Sequence, residues 1–126
     1  MAIGYADKVV KRMYVATTVA QYDVVKLHTT LGQVAQAGAS AKPFGIAAEA
    51  GNVGDYIDVV TEGEFFAKAS AAIAVGADVS CAATGKIRTA ISLDTHTLGQ
   101  LGPMQAAAVT DDVVAVYINK SCVQIA

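Results

Sequence analysis

Residues 44–90 read FGIAAEAGNVGDYIDVVTEGEFFAKASAAIAVGADVSCAATGKIRTA. The stretch is made almost wholly of Ala, Gly, Val and Thr, in short strand-like runs cut by glycine. It holds no histidine and a single cysteine, Cys81, and its carboxylates sit singly among apolar or small residues. Residues spent on backbone geometry rather than on reactive groups point to a structural or binding role.

The neighbouring segments extend the same pattern. Val24 to His28 alternates, with Val25 and Leu27 on one face and Lys26 and His28 on the other. Leu31-Gly32-Gln33 then turns the chain, and Val34 to Ala37 returns. Tyr56 to Thr61 is a stronger strand, with Ile57 and Val59 opposite Tyr56, Asp58 and Val60. Glu62-Gly63-Glu64 is expected to be a tight turn, because glycine accepts positive φ cheaply. Phe65 to Lys68 would pair back across it, and Val113 to Ile118 forms a further strand. Ala69 to Ala74 is expected to make about one helical turn, alanine being the best helix former. Asp94 to Gln105, with Gly99, Gly102 and Pro103, is expected to be loop.

An internal echo lies beneath these elements. At an offset of 54, Val19 meets Ile73, Val25 meets Val79 and Leu27 meets Cys81. With one residue removed, Gly32 meets Gly85, Val34 meets Ile87 and Ala37 meets Ala90. At 57, Gly45 meets Gly102, Asp55 meets Asp112, Ile57 meets Val114 and Val59 meets Val116. Chance also produces such matches in a chain rich in Ala, Val and Gly, so duplication and coincidence both stand at this stage. The expected fold is mostly β: a small β-barrel or β-sandwich with at most one short helix. An N-terminal arm over 1–16 would precede a single domain over 17–126, with half-repeats over 17–63 and 71–118.

Composition narrows the function classes. The 126 residues suit one domain. Hydrophobic residues make up 54%, aromatic ones 6%, and tryptophan is absent, so the excess consists of small side chains. Charged residues are 16%, against roughly 25% in ordinary soluble domains, which suggests a surface partly covered by self-association or assembly. The net charge of −2 argues against nucleic acid as a partner, since phosphate binding needs a basic surface. Charges interrupt every apolar run before it reaches the roughly 20 residues of a membrane span. Met13 to Ala20 is too short and too rich in threonine for an export signal, so synthesis in the cytoplasm is expected. Cys81 and Cys122 lie 41 residues apart with no Cys or His close by, which is no metal motif. Spacing alone admits a disulfide; cytoplasmic synthesis favours two buried thiols.

Catalysis finds little support. His28 and His96 are the only histidines. Ser70 or Ser121 with a histidine and Asp111 lacks the strained turn that presents a nucleophile. Asp111-Asp112 is expected to be a polar turn tip. Gly51-Asn52-Val53-Gly54 lacks the lysine and helix of a phosphate loop. No enzyme activity, cofactor or metal is expected.

The order of elements carries a resemblance. Ala20 to Leu27 is followed by Pro43-Phe44-Gly45-Ile46-Ala47, then Gly54-Asp55-Tyr56-Ile57-Asp58-Val59 and the Gly63 segment. Next come Ala71 to Val79, Gly85-Lys86-Ile87, Leu98-Gly99 to Ala108, and Val113 to Ile118. Over roughly 17–118 the chain resembles the capsid cement, or head decoration, proteins of tailed bacteriophages and prophages. It departs from their pattern at Gly76-Ala77-Asp78, where Ala77 separates the glycine from the acidic residue. The resemblance implies a protein of the virion's capsid surface that adds to the expanded head as a homotrimer. Its partner would be the major capsid protein, and it would brace the coat lattice without chemistry. The candidate coat or oligomer contacts are Lys8, Val9, Val10, Lys11 and Arg12 in the arm, with Phe65 and Phe66. Consecutive residues of a strand face opposite ways, so one phenylalanine belongs to the core and the other lies under a sibling or a coat subunit. The alternative is a carbohydrate-binding or accessory β-barrel module, weakened by the absence of tryptophan and the scatter of Tyr5, Tyr14, Tyr22, Tyr56 and Tyr117.

Overall fold

The computed structural model describes residues 8–91, 96–102 and 109–122. Strands β1 (Val9–Val15), β2 (Val24–Leu27), β3 (Gln33–Gln36) and β4 (Gly45–Ala47) lead to the long β5 (Tyr56–Lys68). Strands β6 (Asp78–Cys81), β7 (Ile87–Thr89), β8 (His96–Leu101) and β9 (Val113–Cys122) follow. The one helical element among the described residues is a 3-10 turn over Ala83–Gly85. The chain is a small β-barrel protein.

Strand β5 belongs to both halves of the molecule. Its first part closes a five-stranded barrel in the order β1-β3-β2-β4-β5, with β5 pairing back onto β1. Its second part starts a sheet in the order β5-β9-β8-β6-β7, whose far edge is tied back by a parallel bridge between Ala69 and Ile87. The expected turn at Glu62-Gly63-Glu64 is therefore a passage within one strand. Val9 faces Glu62 while Val10 faces Val60, so Thr61 is an extra residue that bends and twists the strand. Gly63 follows at φ 94°, a conformation that glycine adopts without steric cost, and pairs with Ile118 of the second sheet.

Two further expectations give way to long-range pairing. Ala69 to Ala74 forms no helix: Ala69 bridges to Ile87 and Ile73 is buried. Helix propensity is worth tenths of a kcal/mol per residue, less than burial of one isoleucine at about 2 kcal/mol. Within the expected loop of 94–105, His96–Leu101 is β8, held between β6 and β9. The expected arm over 1–16 likewise contains β1. That strand is mostly exposed on its side chains, which hides it from hydropathy, yet its backbone is laddered onto β5 from Val9 to Tyr14.

The second half repeats the pairings of the first. Val15 opposite Val34 recurs as Ala69 opposite Ile87. Val24 opposite Ile46 recurs as Asp78 opposite Gln100, and Ile46 opposite Val60 as Gln100 opposite Tyr117. The Val15 N–H donates to the Asp55 carbonyl at 2.9 Å, and Ala69 N–H to the Asp112 carbonyl at 2.9 Å. The turn before each closing strand is held alike. Asp55 Oδ2 accepts the Asn52 N–H at 2.8 Å, and Asp112 Oδ2 accepts the Val109 N–H at 2.9 Å. This register makes Gly99, not Gly102, the counterpart of Gly45.

One core fills the first barrel: Val15, Val19, Val25, Val34, Ala47, Ile57 and Val59. Five strands enclose a narrow interior, which suits valine and alanine better than larger side chains. The corresponding positions, Ala69, Ile73, Val79, Ile87, Leu101, Val114 and Val116, all belong to a second core. Alternation sends Val24, Ile46 and Val60 outward from the first barrel and into that second core. They form the joint between the halves, reinforced by Gly85 N–H donating to the Ala37 carbonyl at 2.9 Å. Their counterparts Asp78, Gln100 and Tyr117 carry polar groups, and Gln100 Nε2 donates to Asp78 Oδ1 at 3.1 Å.

Candidate functional site

The residues singled out near the N-terminus divide by environment. Arg12 Nη1 donates to Asp58 Oδ1 at 3.0 Å and lies 3.7 Å from Glu49 Oε2. Val9 and Val10 are exposed at 43% and 44%, although their backbones are in β1. Lys8 alone reaches the other predicted group: its Nζ sits 5.2 Å from the centre of the Phe65 ring, within range of a cation–π attraction.

Phe65 and Phe66 do face differently. Phe65 packs against the second core, while Phe66 is 46% exposed. Tyr22 joins them, with ring centroids 5.8 Å from Phe65 and 6.0 Å from Phe66. Tyr22 occupies a left-handed backbone position at φ 73°, where its counterpart is Gly76 at φ 72°. Ala77 is thus accommodated after the turn, and its N–H bonds the Ala74 carbonyl. Along the outer face of β5 and β9, Phe66 is accompanied by exposed Val113 and Tyr117. The corresponding face of the first barrel carries the Arg12–Asp58 pair and Tyr56. The first half keeps an aromatic pair on that face, Tyr14 and Tyr56 with ring centroids 5.3 Å apart, so what the second half adds is Phe66 in the place of Arg12.

A second surface lies at the joint. Leu27, Pro43 and Phe44 give apolar lining to a cleft of about 480 Å³ that Lys26, Lys42 and Lys120 also line. His96 and Thr97 of β8 complete its wall. Lys120 is held in place, its Nζ donating to the Phe44 carbonyl at 2.6 Å and lying 5.2 Å from the Phe44 ring centre. Partial burial pulls its pKa below the usual lysine range, with Glu62 acting in the opposite sense. Hydropathy hid this cleft because its parts come from β2, the loop before β4, β8 and β9. Leu27 was expected to share the inward face of Val25, yet it is 58% exposed and lines the cleft; its counterpart Cys81 is buried.

Two of the groups considered for catalysis, His28 and Asp111, have structural partners. His28 Nδ1 accepts the Thr30 N–H at 3.1 Å within the hairpin turn. Asp111 stands at φ 68° in its turn and accepts a 2.8 Å bond from Lys86 Nζ. That bond and the lysine charge hold its carboxyl below the ordinary aspartate range.

With the barrel, the second sheet and their surfaces defined, comparison with solved structures is informative. The N base of the head fiber protein gp8.5 of bacteriophage phi29 superposes with a TM-score of 0.73. The two chains share a fold. The match covers 94% of this chain and 100% of that one at 15% sequence identity. No family model matches the sequence, and no curated protein matches it. At that identity, the likeness lies in the path of the chain, and side-chain roles must be argued from this molecule alone.

Proposed function

We propose that the chain is a structural protein of a bacteriophage head, and more specifically a decoration protein that binds the outside of the expanded shell and stabilises the coat lattice. The observation that carries this reading is the shared fold with the phi29 head fiber base over that chain's whole length. Two features of the molecule agree with it. Charged residues are sparse, at 16%, and half-exposed Phe66 and Tyr117 stand together on the outer face of β5 and β9. Such a face loses water contact on docking, worth roughly 25 cal/mol per Å² of apolar area. The mechanism is adhesion: a homotrimer would multiply individually weak coat contacts, so high occupancy follows even from modest single-site affinity.

The test is to mix purified protein with expanded, DNA-free shells and measure mass by light scattering and co-sedimentation. Stoichiometric addition, as trimers or as monomers that trimerise on the shell, is the expected result. Phe66→Ser should reduce occupancy at a cost of about 1–3 kcal/mol in stability, since the ring also packs on Tyr22 and Phe65, so occupancy is compared at a temperature where the variant is fully folded. A monomer that ignores the shells overturns the decoration reading and turns attention to a glycan-binding screen.

A further inference from the structure

The cleft at the joint has a chemical character unlike the rest of the molecule. The chain carries nine lysines and arginines and a net charge of −2, yet three of those cations, Lys26, Lys42 and Lys120, line this one cleft. No carboxylate is among its described lining residues; Glu62 is the acidic group that acts on Lys120 from outside. Elsewhere Arg12 pairs with Asp58 and Glu49, Lys86 with Asp111, and Arg88 Nη2 donates to the Ser40 hydroxyl, while Lys11 and Lys68 stand singly rather than gathered on one surface. Neither Lys26 nor Lys42 has an ion pair among the described residues.

The repeated pairing scheme shows that the fold does not require this arrangement. Lys26 and Leu27 stand where the second half places Ser80 and Cys81, and both of those are fully buried. The first half instead leaves a leucine 58% exposed beside an exposed lysine. An apolar lining beside unpaired ammonium groups fits a ligand with one apolar side chain between carboxylates. The volume of about 480 Å³ falls within the roughly 300–1,000 Å³ of ligand sites. Nucleic acid fits less well, because a phosphate backbone needs a basic track extending past one cleft.

We infer that this cleft binds an acidic, extended segment of a partner protein, seating one apolar side chain on Leu27 and Phe44 and its flanking carboxylates against Lys26 and Lys42. The inference rests on the head-binding reading only for the partner's identity as a coat subunit. Lys120 is already fixed by the Phe44 carbonyl, so it supplies a positioned positive charge with little further ordering to lose.

The probe is a blocked peptide of glutamates flanking a single leucine, titrated into isotope-labelled protein and followed by amide correlation spectra. Shifts should concentrate at Lys26, Leu27, Lys42, Phe44, Thr97 and Lys120. The double substitution Lys26→Glu with Lys42→Glu should weaken binding by about tenfold or more, as should replacing the peptide's glutamates by glutamines. Both lysines are exposed, and an unchanged thermal melt verifies that the variant is folded. Shifts centred on Lys8, Lys11 and Arg12, equal affinity for the glutamine peptide, or indifference to the double substitution would each overturn the inference. Tighter binding of an oligothymidylate at the same residues would overturn the choice of a protein partner. Shell co-sedimentation separates the two claims. A double variant that loses the peptide yet coats shells fully shows that coat binding lies elsewhere and refutes the coat segment as occupant. Wild-type protein that binds the peptide at the cleft but ignores shells upholds the cleft and refutes the head-binding reading.

Discussion

The close approach of β8 to β9 predicts that Gly99→Ala is among the most damaging conservative substitutions in the protein. A Cβ on Gly99 would strike the Tyr117 carbonyl oxygen and lie 2.9 Å from the Asn119 nitrogen. Both atoms are backbone of β9, so no side chain can swing aside; the strands must part. Displacing them weakens about two ladder hydrogen bonds at roughly 1 kcal/mol each and adds about 1–3 kcal/mol of packing strain. The smaller unfolded-state entropy of alanine returns about 0.4–1 kcal/mol. The net loss is about 3 kcal/mol, a large part of the roughly 5–15 kcal/mol that holds a domain folded. For a chain of 126 residues this lowers Tm by about 10 °C. Gly45→Ala should behave alike, since its Cβ would strike the carbonyl oxygen of Val60, the counterpart of Tyr117. Gly102→Ala is the control: its nearest neighbour would be the Ala115 oxygen at 3.2 Å, which a small shift relieves, so the loss should stay near or below about 1 kcal/mol. Thermal and urea unfolding followed by far-ultraviolet circular dichroism read all three. A Gly99→Ala protein as stable as wild type, or one more stable than Gly102→Ala, refutes both the close approach and the register that equates Gly45 with Gly99.

Other substitutions test the joint and the surface. Ile46→Ala removes a fully buried side chain that sits on the first barrel but packs in the second core, so it should cost about 2–5 kcal/mol in one cooperative transition; two separated transitions would show that the halves unfold independently. Arg12→Ala should change stability by less than about 1 kcal/mol, because Arg12, Asp58 and Glu49 keep 59%, 45% and 49% of their side chains exposed; a larger loss in urea unfolding would mean that β1 depends on that network. Lys86→Met should return the Asp111 pKa upward toward 3.8, measured by carboxyl chemical shifts. The Asp111 pKa is depressed in the folded protein, so its contribution to stability is present above the unfolded value and fades as pH falls through the folded one; the variant should lose that acid-side dependence.

Much of the β character was legible locally. The alternation in Val24 to His28 and Tyr56 to Thr61, with glycines between short runs, marks strands because the side-chain period of two is set within the strand itself. The cores are read from the same small residues: Val15, Val25, Val34 and Val59 suit a narrow five-stranded interior. The offset of 54 likewise links Val19 with Ile73 and Val25 with Val79, positions that occupy matching places in the two cores. Phe65 and Phe66 could be assigned opposite faces without a structure, for the same geometric reason.

Local pattern failed wherever a partner distant in sequence decided the outcome. Gly63 signals a turn to a local reading, but β1 and β9 hold the chain extended on both sides of it. Ala69 to Ala74 has the composition of a helix, and the bridge to Ile87 with burial of Ile73 outweighs that propensity. Val9 to Tyr14 carries charges typical of a solvated terminus, while its backbone hydrogen bonds to β5 make it a barrel strand. The basic cleft is of the same kind, since Lys120 of β9 lies far along the chain from Lys26 and Lys42 and joins them only once the two halves meet. What the sequence by itself determined is the period, the small-residue interior and the glycine positions, all properties of neighbouring residues. Closure of the barrel, the sharing of β5 and the gathering of charge at the joint were decided by tertiary structure, because hydrogen-bond partners and packing across 40 or more residues leave no mark on local periodicity.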